Sequence, residues 1–192
     1  MASDQSGTLI RVGGALLTAP VSMGFWSSLR EARRRKWPER TEGWEERLIE
    51  RVHALFASLA ERHGLRMEWD DEAPVEVACI FPEQEGLDFE LCMNLQNSDE
   101  LSMSHEMFWT DSFPADDPEV WETFEKAADG MLSGEARAVI HYAFDRKKPF
   151  RTEVQIQKDG RWMTVDTGII LWRLPWIKRS YVIQNKARGR GG

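Results

Sequence analysis

From Leu87 to Leu95 apolar and polar side chains alternate without a break. Leu87, Phe89, Leu91, Met93 and Leu95 fall on one face, and Asp88, Glu90, Cys92 and Asn94 on the other. A period of two belongs to an extended strand, because a helix would scatter such a pattern around its circumference. The stretch therefore commits the chain to a sheet with one covered and one wetter face. The run before it, PVEVACIF, alternates through Val75, Val77 and Cys79. The run after it, LSMSHEMFW, places Leu101, Met103, His105, Met107 and Trp109 on one face. The connectors PEQEG and QNSDE are short and polar, so the three runs read as an antiparallel meander.

Two segments of a different period can cover that sheet. In residues 43–63, Trp44, Leu48, Val52, Leu55, Phe56 and Leu59 recur at three- and four-residue spacing, and Gly64 is a natural helix stop. In the second, Asp117 is an N-cap, Pro118 suits the first helical position and Glu119 the first turn. Val120, Trp121, Phe124, Ala128 and Met131 then form its apolar stripe, with an end expected near Gly130 or Gly134.

The last third returns to period two. ARAVIHYAF alternates Ala138, Ile140, Tyr142 and Phe144, and FRTEVQIQ alternates Phe150, Thr152, Val154 and Ile156. Asp159-Gly160 between the latter and RWMTVDTG predicts a type I′ hairpin, since both central residues need positive φ. IKRSYVIQN predicts an edge strand guarded by its charges. The expected fold is α+β: a mostly antiparallel sheet of about six or seven strands, two main helices covering one face, order α-βββ-α-βββ(β). Residues 1–40 read as an N-terminal extension with a short basic helix in GFWSSLREARRRKW, 41–185 as a single α+β domain, and 186–192 as a flexible basic tail.

Charge is sorted along the chain. The net charge is −7, but residues 1–40 carry +4, residues 173–192 carry +6, and residues 41–172 carry −17. Between residues 67 and 125 there are eighteen Asp and Glu and no Lys or Arg. If these acids share a face, its potential repels nucleic acid and attracts cations or basic protein segments. The alternative is that they only solvate turns and edges, with the basic ends folded back over them.

Cys79 and Cys92 both fall in expected strands and read as packing thiols, with cross-strand pairing as the alternative. Arg11 interrupts the apolar stretch LIRVGGALLTAPVS and Asp4 precedes it, which disfavours a secretory signal and favours a cytoplasmic protein. No run approaches the roughly 18 apolar residues of a membrane span. Nine tryptophans suggest a large mixed core, or a contact surface.

No motif carries recognisable chemistry. His53, His63, His105 and His141 show no zinc spacing, and DSFPADDPE lacks a calcium-loop pattern. There is no nucleophile elbow and no phosphate loop. His105 and Glu106 are adjacent in an expected strand, so they point apart and cannot form a dyad. No catalytic, cofactor-binding or metal-ligating residue is assigned, and no cofactor is implied.

Over residues 43–157 the order of elements and the acidic charge resemble the small acidic chaperones that serve type III secretion, built around a helix and a three-stranded meander. The resemblance rests on no residue motif and implies a protein-binding role. The expected function is a non-enzymatic acidic module, chaperone-, inhibitor- or immunity-like, for a basic protein segment. The alternative is a small-molecule-binding or hydrolytic domain with a pocket at Met103, His105, Met107 and Trp109, and a third reading is a subunit of a larger assembly.

Overall fold

The computed structural model describes residues 10–12, 15–17, 40–143, 149, 151–169 and 177–186. Contacts divide the chain into two units, Met1–Thr41 and Glu42–Gly192. In the first, β1 (Ile10–Val12) and β2 (Ala15–Leu17) pair antiparallel, with Val12 opposite Ala15. The basic helix expected within GFWSSLREARRRKW and the tail beyond Lys186 lie outside the described residues, as do Phe144 and Phe150.

The second unit opens with helix α1 (Trp44–His63). It ends where expected: Gly64 takes the left-handed conformation at φ 59°, and Leu65 N–H closes back on the Ala60 carbonyl at 3.0 Å. Five strands follow: β3 (Glu68–Trp69), β4 (Val77–Phe81), β5 (Leu91–Gln96), β6 (Glu100–His105) and β7 (Phe108–Ser112). They form one antiparallel sheet in chain order. Helix α2 (Pro118–Ser133) comes next, its N-terminus capped by Asp117, whose carboxylate accepts from Glu119 N–H at 2.8 Å and Val120 N–H at 3.3 Å. Gly134 closes it at φ 88°.

Strands β8 (Ala136–Ala143), β9 (Arg151–Lys158), β10 (Arg161–Ile169) and β11 (Ile177–Ile183) form a second antiparallel sheet, ordered β10-β9-β8-β11. Asp159 (φ 51°) and Gly160 (φ 73°) turn the β9–β10 hairpin, as a type I′ turn requires. β11 lies at the edge of its sheet, where Tyr181 and Val182 are exposed.

The fold is α+β as expected, and among the described residues of this unit the nine strands divide between sheets of five and four. One expected strand is two. LSMSHEMFW folds over at Glu106-Met107, with His105 paired to Phe108 across the turn. The His105 ring supports this turn, its Nδ1 accepting Met107 N–H at 3.2 Å.

The core lies between helices and sheets. Leu48, Val52, Leu55, Phe56 and Leu59 of α1 face Val77, Cys79, Phe81, Leu91, Met93, Leu95, Leu101 and Met103, all buried. Trp121, Phe124, Ala128 and Met131 of α2 share this cluster with Ala138, Ile140 and Val154 of the second sheet. Phe56 and Phe124 join the two helices, ring centroids 6.5 Å apart. Every apolar position of the Leu87–Leu95 alternation is buried. The tryptophans divide differently: Trp121 is in the core under Arg51, while Trp69 and Trp109 are exposed.

Candidate functional site

Because Leu101 and Met103 point into the core, Ser102 points to the opposite face of the five-stranded sheet. Backbone register then sets a row across three strands: Asn94 on β5 lies opposite Ser102 on β6, and Ser102 lies opposite Asp111 on β7. Each of the three has a buried oxygen without a well-formed hydrogen bond: Asn94 Oδ1, Ser102 Oγ and Asp111 Oδ1. Ser102 is 1% exposed. Orphaned buried polar atoms are uncommon in folded proteins, and three in one row ask for an explanation.

The electrostatics of the row are anionic. Burial raises the Asp111 carboxyl to about 6, helped by the charge and hydrogen bonding of Glu100, while Trp109 and Ser102 pull it back. Glu100, two residues before Ser102 on the same face, also accepts from the Asn97 amide at 2.8 Å. One register step along, Ser104 lies opposite Trp109, so the indole stands on the same face as Asp111 and is 53% exposed.

Beside this row an open groove of about 330 Å³ is lined by Asp111, Ser112, Phe113, Glu119, Val120, Thr123, Val165 and Asp166. Its walls are β7, the start of α2 and an irregularity of β10, where the register slips between Thr164 and Asp166. Such bulges re-aim side chains. Burial also raises the Asp166 carboxyl, against the Thr167 amide and Thr110 hydroxyl, and its Oδ2 is a further orphaned oxygen. Among the described residues, three carboxylates and no base line the groove.

The acids of the middle third are distributed more widely than this. Glu68 pairs with Arg66 at 3.1 Å, Asp88 with Lys186 at 3.3 Å, Glu122 with Lys126 at 2.6 Å and Glu125 with Arg62 at 3.6 Å. Asp71, Glu72, Glu83, Glu90 and Glu106 are exposed.

The four residues expected to form a pocket are not brought together. Met103 is buried in the core. His105 closes the β6–β7 turn, stacked on Phe108 at 5.9 Å and edge-on to Phe89 at 5.7 Å. Met107 lies in the turn itself, exposed, and the turn reverses the alternation so that Trp109 faces away from the core. Among the four, only Trp109 adjoins the polar row.

A second polar network spans the four-stranded sheet. His141 on β8 touches Ser180 through Nδ1 at 2.8 Å and Glu153 through Nε2 at 3.2 Å. Arg151 at 2.7 Å, the Gln155 amide at 2.9 Å and the Thr164 hydroxyl at 3.0 Å also converge on Glu153. Burial pushes the Glu153 carboxyl up, but Gln155, Thr164, Arg151 and His141 together outweigh it and hold it below its ordinary value. A hydroxyl, an imidazole and a carboxylate stand in sequence, yet the carboxylate is shared among four partners across three strands. Its role is cross-strand stabilisation.

Cys79 and Cys92 are free thiols on opposite faces of the sheet, Cys79 buried beside the core and Cys92 opposite Ile80 on the other side. Burial raises both, with the charges of Glu90 and Asp70 adding to the effect on Cys92, so neither is an activated nucleophile. Among the described residues no group of three or more His, Cys, Asp or Glu is placed to hold a metal ion, and no helix is long and apolar enough to cross a membrane. No family model, curated protein or solved structure matches this chain.

Proposed function

We propose that this chain is a non-enzymatic binding module that holds a basic segment of a partner protein against its acidic sheet edge. The observation that carries the reading is the groove between β7, α2 and β10: Asp111, Asp166 and Glu119 line it, and among the described residues no basic side chain does. Two of these carboxyls are already raised by burial. A cation brought beside them relieves that cost, so the unliganded edge is electrostatically unsatisfied. The same field disfavours nucleic acid. Unpaired thiols suit a cytoplasmic setting, and the reading fits a chaperone-, inhibitor- or immunity-like role.

The test is fluorescence anisotropy with a labelled peptide of alternating lysine and serine and a counterpart of glutamate and serine. The lysine peptide binds at low ionic strength and weakens steeply as salt rises, because exposed charges are screened over about 10 Å at 0.1 M. No binding of the lysine peptide, or equal binding of both peptides, overturns the reading.

A further inference from the structure

We infer that the outer edge of β11 takes one extended, acidic segment of another protein as an added antiparallel strand. The inference stands apart from the groove, for it uses the other sheet and the opposite charge.

β11 ends the four-stranded sheet, and among the described residues only β8 pairs with it. The far side of such a strand carries backbone N–H and C=O groups on which a further strand can be laid. Six large apolar side chains are exposed among the described residues, and only Tyr181 and Val182 are neighbours in sequence, at 47% and 52%. Neighbours in a strand point to opposite faces. The register agrees: Tyr181 lies opposite Ile140, on the helix-covered face, and Val182 opposite Val139, on the other. Both of these β8 residues are buried. The sheet is therefore covered on both faces at β8 and open on both at β11. Side chains open on both faces of a terminal strand are the ones an added strand would cover.

Charge selects the occupant. Free edges are protected by charges, proline and bulges. In β11 these devices sit at one end: the register slips between Ile177 and Arg179, and the charged residues are Lys178 and Arg179. Ser180-Tyr181-Val182-Ile183 holds no charge and no proline. Two copies paired edge to edge about Ser180 would crowd four cations together, which destabilises the pairing. An acidic segment meets the same cations as cross-strand partners, in a stretch (173–192) that carries +6 and no acid. The Arg179 guanidinium lies over the Tyr142 and Tyr181 rings, 5.0 and 5.7 Å from their centroids, on the Tyr181 face of the strand. Antiparallel addition then fixes the order of the partner's side chains. From its N-terminus, apolar residues fall opposite Val182 and Tyr181, a small polar residue opposite Ser180, and an acid opposite Arg179.

The probe is a fluorescein-labelled peptide of that order, Thr-Val-Phe-Thr-Glu-Glu-Ser, titrated with the full chain and read by anisotropy. Its counterparts carry glutamine for both glutamates, or N-methyl groups on alternate residues so that one or the other edge of the peptide cannot pair. We expect the glutamine peptide to bind about fivefold more weakly, and one N-methylated form to lose binding while the other keeps it. Arg179→Gln should cost the glutamate peptide about threefold or more and the glutamine peptide less than about twofold, and Tyr181→Ser should weaken both. Glu72→Gln, at an exposed position away from β11, should change affinity less than about twofold. Equal binding of the two N-methylated forms overturns strand addition. Equal losses of both peptides on Arg179→Gln overturn the acid's place in the register. A wild-type dimer in sedimentation that Val182→Asp dissolves would give the edge to a second copy, and a labelled oligothymidylate bound more tightly than the peptide would make it a nucleic-acid surface; either overturns the proposal. Thermal unfolding of each variant separates a lost edge from a lost fold, and the N-methylated pair needs no variant.

Discussion

Ser102 lies directly across the β6–β7 ladder from Asp111, and each has a buried oxygen without a well-formed hydrogen bond. A buried hydroxyl left unpaired carries its desolvation cost with no return in the folded state. Replacing it by a methyl removes that cost and leaves the backbone ladder intact. Ser102→Ala should therefore be neutral to stabilising, by up to about 1 kcal/mol. Urea unfolding followed by far-UV circular dichroism measures it, and a loss of more than about 1 kcal/mol would show that Ser102 has a stabilising partner.

Asp111 sets the sign of a pH effect. Its carboxyl titrates near 6 in the folded chain, against about 3.9 for an unfolded one. A raised value means the folded state holds the proton more tightly, so this group's stabilisation is complete below pH 4 and is lost as pH rises through 6. Its carboxyl is partly open to solvent, so the screened effect is about 1 kcal/mol. Asp111→Asn should flatten that part of the stability profile, gaining on the wild type at pH 7.5 and not at pH 4. Melting temperatures of the two proteins across this range decide it, and parallel profiles would refute the assignment.

Asn185 ties the end of the described chain to two distant segments. Its amide donates to the Gly86 carbonyl at 2.7 Å and the Leu132 carbonyl at 2.6 Å, and its oxygen accepts Asp88 N–H at 3.1 Å. The side chain is 2% exposed, so water cannot readily replace these bonds. Asn185→Ala should cost about 2–3 kcal/mol. Lys186→Ala, next to it, breaks only an exposed pair with Asp88 and should cost less than about 0.5 kcal/mol. Equal midpoints in urea for the two variants would show that the buried amide contributes no more than the surface pair.

The helices and the hairpin at Asp159-Gly160 were legible in the sequence because their determinants are local: a cap, a period, a pair of residues that tolerate positive φ. The break at Glu106-Met107 was not. It contains no Gly, Pro or Asn, and it is supported by the His105 ring accepting a backbone N–H, an interaction that leaves no compositional trace. The error moved Met107 into a turn and Trp109 to the opposite face. The row at Ser102 was hidden for another reason. Asn94, Ser102 and Asp111 become neighbours only through the register of three strands, and each is separately an ordinary polar residue on a wet face. Asp166 lines the groove beside Asp111 only through the bulge in β10.

Gly130 shows where helix α2 is pressed against the sheet it precedes. A β-carbon built there would lie 2.7 Å from Ala136 Cβ and 2.9 Å from Ala136 N, closer than real contacts allow. Glycine inside a helix is normally a weakness, and alanine there would ordinarily gain about 1 kcal/mol. At this position overpacking against the start of β8 opposes that gain, and such strain costs about 1–3 kcal/mol. The backbone nitrogen cannot move aside as a flexible side chain would, so the clash wins and Gly130→Ala should destabilise. Adding Ala136→Gly removes the nearer contact and should recover part of the loss, leaving the share due to the backbone nitrogen. Urea unfolding of the two single variants and the double variant measures the coupling. A stabilised Gly130→Ala, or a double variant that simply adds the two single effects, would show that α2 and β8 do not approach this closely.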